Sequence, residues 1–438
     1  MSTSQDDLDR LLALRDALDA SINAYATLSV KDGGQEERKK PSSKAMQTRH
    51  QIWATAAKIV AETANPVQEA TRLAFMPWLH AVIRTAMELD LFNALDDEKT
   101  KTSAAELANR TGADEILIVR LMRVLTGFNI VKEVGEHTYA ATGVSRALTV
   151  QSTADLNKHI FDSSWSCIGK FPSYLASLDY KNPDDANRTL SHYATGTDFF
   201  GYLRDDRARL VRFNSAMRGA GAAWVTSPVP KELVQKSAES TDGVGVGVVM
   251  VDIGGGIGQV TEKVVAENPD VVAKGGKFVV QDLGAIVDEA KQKGLPKGCE
   301  VMEYDFCTEQ PVKGAGLYFL RRVLHDFPDT KCREILSHQI PAMKKGYSKV
   351  LICEAVLPAT GCSGFEALAD ISRTTFSSMQ RSEKQWRELL TSVGFKVNKI
   401  WPPPNAGPGG FAVIEAEIGG EHKVLDRGGG PRLPKGSW

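Results

Sequence analysis

The sequence predicts an α/β protein in which a parallel central sheet follows a mostly helical N-terminal half. Three observations carry this. Between residues 235 and 416, short apolar runs (VGVVMVDIG, GKFVVQD, GLYFLRRVLHD, SKVLICEAVLP, FAVIEAEI) alternate with helical segments. Such runs are strands of a parallel sheet covered on both faces. The stretch VVMVDIGGGIGQVTEKVV places a glycine cluster between a strand and a helix. Residues 47–230 instead carry apolar side chains at three- and four-residue steps, the period of amphipathic helices.

Composition bounds the function. A chain of 438 residues allows two to four domains. Lys plus Arg total 53 against 54 for Asp plus Glu. That balance argues against a chain built to grip nucleic acid or an anionic membrane. No apolar run reaches the roughly 18 residues of a membrane span. The start, MSTSQDDLDR, lacks the basic flank and apolar stretch of a secretory signal. The six cysteines show no CxxC spacing, which suits a reduced, cytoplasmic setting without disulfide framework or metal site.

In chain order, residues 5–29 read as one helix, with Leu8, Leu11, Leu12, Leu18, Ile22 and Tyr25 on a stripe. KDGGQEERKKPSSK (31–44) breaks the pattern and reads as a flexible linker, so residues 1–46 form an N-terminal helix plus linker. Residues 47–230 form a second region. In it, SAAELANRTGADEILIVRLMRVLTGFNIVKEVGEHTYAAT reads helix, turn, helix and hairpin: Ser103 and Glu106 form a capping box, Gly112 fits the turn, and the hairpin folds about Gly135. This is a winged-helix pattern, used for DNA binding or for packing and dimerisation. The second helix offers Arg120 and Arg123 among many apolar residues, a poor recognition face. An apolar face around Trp53, Phe75 and Trp78 points to a homodimer. Residues 151–230 are helical and rich in aromatics; Phe161, Trp165, Phe213 and Met217 are candidates to line an apolar pocket. Residues 231–416 form the sheet domain, and 417–438 a Gly/Pro-rich, mobile tail.

The glycine loop is the most informative segment. A strand ends at Asp252; Gly254, Gly255, Gly256 and Gly258 follow, and a helix begins near Gln259. Glycines at such a turn let a ligand approach the backbone beside a helix N-terminus. The next strand ends in Asp282, 24 residues after Gly258, where a carboxylate can accept from ribose hydroxyls. The spacing Gly254-x-Gly256-x-Gly258 departs from the dinucleotide fingerprint. With the acid two residues before the first glycine, it favours S-adenosylmethionine over NAD.

The order DIGGGIG, VVQDL, YDF, RRVLHDFPD, LICEAVLP, SEKQW–GF resembles the plant- and fungal-type small-molecule O-methyltransferases over roughly residues 70–416. The resemblance implies a Rossmann-like class I methyltransferase domain behind a winged-helix dimerisation domain, with S-adenosyl-L-methionine as cofactor. It implies that the glycine loop cups the methionine part, Asp282 and its neighbour Leu283 take the ribose, Asp305 and Phe306 flank the adenine, and Arg321 lies beside the cofactor. It places a catalytic histidine at His325 and its orienting acid at Glu354. Bottom-up, a neutral imidazole at the carboxyl edge of the sheet can take a proton from a phenol or enol. Asp326 and Asp329 read as caps of the following helix.

Two departures stand out. Gln380 occupies the place of the second acid of the resembled family, and ADISRTTFSSMQ is more polar than its usual Met-rich helix. Arg373 in that segment is a candidate substrate contact. Three readings remain open: an O-methyltransferase acting on an aromatic or polyketide-like metabolite; a non-methylating enzyme that uses the same scaffold and cofactor for dehydration or pericyclic chemistry; and a winged-helix regulator that senses S-adenosylmethionine.

Overall fold

The computed structural model describes residues 5–32, 43–95, 101–222, 227–239, 247–403 and 410–419. Most of the expected 31–44 linker and of the 417–438 tail lies outside these residues. The chain divides into two compact units. One takes in the described parts of Met1–Ala56, Ser173–Gly196 and Trp224–Ser437; the other takes in those of Ala57–Pro172 and Thr197–Ala223.

The second unit is mostly helical. Helix Pro66–Glu88 starts where Asn65 accepts from the N–H groups of Val67 and Gln68, with Pro66 in the first turn, where its missing N–H costs nothing. Helix Ala104–Thr111 opens with the expected Ser103/Glu106 capping box and closes on Gly112 at φ 72°. Helix Glu115–Gly127 buries Ile118, Leu121, Met122 and Leu125 and leaves Arg120 and Arg123 exposed beside Ile116 and Leu117. Strands β1 (Thr102–Ser103), β2 (Val131–Gly135) and β3 (Thr138–Ala141) form an antiparallel sheet ordered β1-β3-β2. This is the winged-helix pattern. Leu91, Phe92, Leu107 and Tyr139 share its core with the helix residues above. On helix Pro66–Glu88, Phe75 and Trp78 stay 63% and 70% exposed, an uncovered apolar face.

The first unit holds the large sheet: β4 (Val248–Ile253), β5 (Lys277–Asp282), β6 (Cys299–Glu303), β7 (Leu317–Arg321), β8 (Lys349–Leu357), β9 (Arg381–Ser382), β10 (Phe395–Trp401) and β11 (Phe411–Ile418). Its order is β10-β11-β8-β7-β4-β5-β6, with β9 paired to the end of β8. Strands β4 to β8 are parallel. Tyr318 and Leu320 of β7 pack into one apolar layer with Trp386 and Leu390, while Leu317 and Phe319 pack into another with Val264 and Phe278. Both faces are covered, which explains why these strands read as unbroken apolar runs.

The parallel central sheet is extended at one side by antiparallel strands: β11 runs antiparallel to β8, and β10 to β11. The edge strands β6 and β10 were not among the expected apolar runs. Glu300 and Glu303 of β6 and Lys396, Asn398 and Lys399 of β10 are exposed, so CEVME and FKVNKIW lack a continuous hydrophobic signature.

Candidate active site

The site grows from the carboxyl ends of β4, β5, β7 and β8. Strands β5 and β7 flank β4 on opposite sides. The order reverses there, the place where open α/β sheets take ligands.

The loop after β4 turns on Gly254, Gly256 and Gly258, with φ of 67°, 60° and 80°. Only glycine adopts these angles without strain. Gly255 donates to the Gln281 carbonyl at 3.0 Å and Gly256 to Asp282 Oδ2 at 2.8 Å, which ties the loop to the end of β5. A Cβ on Gly255 would lie 2.7 Å from the Asp252 carboxyl carbon, whereas one on Gly256 would meet nothing within 4 Å. The loop is packed underneath and open above.

Asp252 is 2% exposed and accepts from the Thr261 hydroxyl at 2.7 Å. Burial pushes its carboxyl up to about 6. It lies inside β4 and braces the helix Gln259–Glu267 rather than facing solvent. Asp282 ends β5, and its second oxygen accepts from Leu283 N at 2.8 Å. Each carboxylate oxygen keeps acceptor capacity for a hydroxyl. Leu283 is partly exposed. Asp305 follows β6 and accepts from Cys307 N; Phe306 meets Phe327 edge to face at 5.7 Å. Arg321 ends β7, and its charge acts on Asp252. An acid beside an open glycine cradle, with an aromatic ring near by, fits a nucleoside carrying ribose hydroxyls.

His325 lies in the 3-10 turn Leu324–Asp326, just past β7. The preceding Arg322 has φ 56°, a left-handed bend that a non-glycine residue adopts at a cost of about 1–3 kcal/mol. The turn touches the glycine loop: Val323 Cγ2 lies 3.0 Å from where a Gly254 Cβ would sit. Glu354 lies inside β8 rather than at its end, and β8 neighbours β7. Its Oε1 accepts from the N–H groups of Leu324 and His325 at 3.1 and 3.4 Å, and its Oε2 lies 3.2 Å from His325 Nδ1. His325 is 3% exposed and Glu354 fully buried.

Burial decides the charge state of this pair. It pushes the imidazole down to about 3; Asp326 opposes that, and Arg373, Arg322 and Arg381 reinforce it. It pushes the Glu354 carboxyl up to about 8. Both groups therefore favour the uncharged form near neutrality. Oε1 is taken by two backbone donors, which leaves Oε2 as the oxygen nearest Nδ1, at 3.2 Å. The Gln380 side-chain nitrogen is 3.4 Å from the same ring nitrogen.

Around the turn, Ser378 donates to the carbonyls of His325 and Phe327, both at 2.8 Å. Arg381, fully buried, reaches Asp329, the carbonyls of Leu324 and Phe327, and the Trp386 ring. Asp326 and Asp329 do not cap the next helix. That helix is Asp329–Ser337, with Pro328 at the cap and no side-chain cap bond. Asp326 instead pairs with Arg373 at 2.8 Å, and Asp329 with Arg381. Reading these acids as caps overlooked the two arginines that follow some 50 residues later; ion pairing overrides local cap preference.

Phe161, Trp165, Phe213 and Met217 belong to the helical unit. There Phe161 stacks on Trp165 at 5.0 Å, and Phe213 meets His159 and Phe199 edge to face. Asp162, beside them in sequence, is held by Arg84 and Arg212. Sequence reasoning did not anticipate Thr261 or Arg381, nor the bonds of Ser378 to the His325 turn; each acts across sequence gaps that periodicity does not span. Among the described residues no His/Cys/Asp/Glu group could hold a metal ion, and no helix is long and apolar enough to cross a membrane.

A family profile described as an O-methyltransferase domain matches residues 181–396, and one described as an O-methyltransferase dimerisation domain matches residues 71–151. The Aspergillus candidus protein named methyltransferase cfoC is 31% identical over 85% of this chain and 92% of its own length. The solved LepI complex with S-adenosylmethionine is similar at TM-score 0.76 and 25% identity, over 91% of this chain and 98% of that one. A structure described as a pericyclic reaction enzyme is similar at the same TM-score and identity, over 92% and 100%. The chain belongs to the S-adenosylmethionine-dependent O-methyltransferase family, with the family's dimerisation domain ahead of its methyltransferase domain.

Proposed function

We propose that the protein methylates a hydroxyl of an aromatic or polyketide-like secondary metabolite, with His325 as general base and Glu354 as the acid that orients it. The observation that carries this is the buried His325–Glu354 contact at 3.2 Å, on a turn packed against the glycine loop. When bound, S-adenosylmethionine supplies an electrophilic methyl group on a sulfonium leaving group. Gly254, Gly256 and Gly258 admit its methionine part to the backbone, Asp282 and Leu283 hold the ribose, Asp305 and Phe306 hold the adenine, and Asp252 and Arg321 support the loop from below.

The base forms when the His325–Glu354 pair gives up one proton. The remaining proton then bridges Nδ1 and Oε2, and Nε2 carries a lone pair. Nε2 accepts the acceptor's hydroxyl proton, and the Glu354 carboxylate stabilises the imidazolium across Nδ1. Gln380 serves either state of Nδ1, since its amide can donate or, once flipped, accept. Exclusion of water and alignment of the oxyanion supply the rest.

We also propose that the chain is a homodimer. The dimerisation-domain match spans Phe75 and Trp78, whose exposed rings need a partner. A non-methylating reaction on this scaffold is the second reading. It is favoured by Gln380, an amide that cannot neutralise an imidazolium, and by the similarity to a pericyclic reaction enzyme. Incubation with S-adenosylmethionine labelled in its methyl group and a panel of phenols and enolisable polyketides separates the two. A product one labelled methyl heavier is expected; a product isomeric with its substrate, formed with the label retained on the cofactor, overturns the first reading.

A further inference from the structure

The Asp326 carboxylate lies between two competing partners. Its Oδ1 accepts from Arg373 at 2.8 Å, while its Oδ2 is 3.6 Å from His325 Nε2, too far for a hydrogen bond. Asp326 and Arg373 are each about one-quarter exposed, and His325 is buried. Arg373 opens the 3-10 turn Arg373–Phe376, and its guanidinium lies over the Phe376 ring at 5.6 Å. Nε2 is the nitrogen that the proposed reaction uses, because Nδ1 is occupied by Glu354 and Gln380. A carboxylate next to Nε2 is therefore a hazard. If it closed by less than 1 Å it would bind an Nε2–H and deny that nitrogen to an acceptor.

We propose that Arg373 is a positioning residue: it holds the Asp326 carboxylate off Nε2 of His325 and so keeps that nitrogen available to the acceptor hydroxyl. This rests on the reading of His325 as base. The charged groups facing the imidazole are Arg322 from the end of β7, Asp326 beside it, Glu354 from β8, Arg373 from the 3-10 turn and Arg381 from β9. Arg381 is bonded to Asp329 and backbone carbonyls. Arg373 bonds Asp326 directly, and the charge of the buried Arg322 also acts on it. The charge of Arg373 also disfavours the imidazolium, and that of Asp326 favours it. Loss of Arg373 therefore acts twice in the same direction.

The test reads the imidazole itself and needs no acceptor. Histidine-labelled full-length protein is titrated by NMR from pH 3 to 8, with the His325 signal assigned from its absence in His325→Gln. The unaltered protein should begin to protonate the imidazole only near pH 3. In Arg373→Met the ring should gain at least about one pH unit, tenfold in proton affinity, with the Nε2 resonance moving as Asp326 closes on it. Arg373→Lys should behave like the unaltered protein, and Arg373→Met/Asp326→Asn should return to it. An unchanged titration in Arg373→Met overturns the proposal, as does a double variant that keeps the raised affinity. Retention of methyl transfer by His325→Gln would instead sink the base assignment while leaving this titration to stand or fall on its own.

Discussion

His325 and Glu354 are two groups that burial drives in opposite directions, and their contact turns that into chemistry. An isolated histidine this deep would be an inert neutral ring. In the proposed reaction, Glu354, whose carboxyl is pushed up to about 8, makes His325 a base only when the pair ionises. The pH dependence follows with a definite sign. Methyl transfer should rise with pH as the pair loses its proton near 8, and should not report the much lower intrinsic value of the imidazole. A pH–rate profile of kcat/KM checks this; Glu354→Gln, which cannot ionise, should remove that limb and slow transfer by about 10–100-fold. A limb unchanged in Glu354→Gln would assign the ionisation elsewhere. The nearness of Glu354 to His325 was expected from the resemblance and from neighbouring strands, although Glu354 lies inside β8 rather than at its end. The surroundings were not legible in the sequence. Asp326 and Asp329 look like caps when only neighbours are counted, and their arginines become visible only once β9 and the 3-10 turn fold back on the base.

At the scale of elements, the glycine loop shows how close packing below creates room above. Gly255 is the tight point: its missing Cβ is what allows Asp252 to sit beneath the loop. Gly255→Ala should displace the loop and weaken S-adenosylmethionine binding by at least about tenfold in calorimetry, corresponding to roughly 1.4 kcal/mol. Unaltered affinity would show that the loop does not shape the site. The helix Glu383–Val393 matters in another way. Its Trp386 is fully buried, donates to the Ala355 carbonyl at 3.2 Å and supports Arg381. Trp386→Ala should cost about 3–5 kcal/mol of stability, read as a lowered midpoint in chemical denaturation. The central parallel strands were legible because both of their faces are buried; the half-exposed β6 and β10 and the antiparallel turn-back of β11 left no comparable trace.

For the whole molecule, the winged-helix region and the sheet domain differ in periodicity, but residues 173–196, expected within the helical region, group with the sheet unit. The pattern alone serves DNA binding and dimerisation alike; the resemblance supplied dimerisation, and the dimerisation-domain match over residues 71–151 agrees with it. The region's exposed apolar rings and its poorly basic helix favour a second copy of the chain. Sedimentation should give particles of twice 47.6 kDa, and Phe75→Arg/Trp78→Arg should shift them towards monomer; monomers in the unaltered protein would refute the dimer. The account as a whole depends on His325 acting on the acceptor while the cofactor is held independently of it. The most direct measurement is single-turnover methyl transfer by His325→Gln saturated with S-adenosylmethionine, set against the unaltered protein on the same acceptor. The expected result is a rate reduced by at least about 100-fold with cofactor affinity unchanged. A rate within a few fold of the original would contradict it.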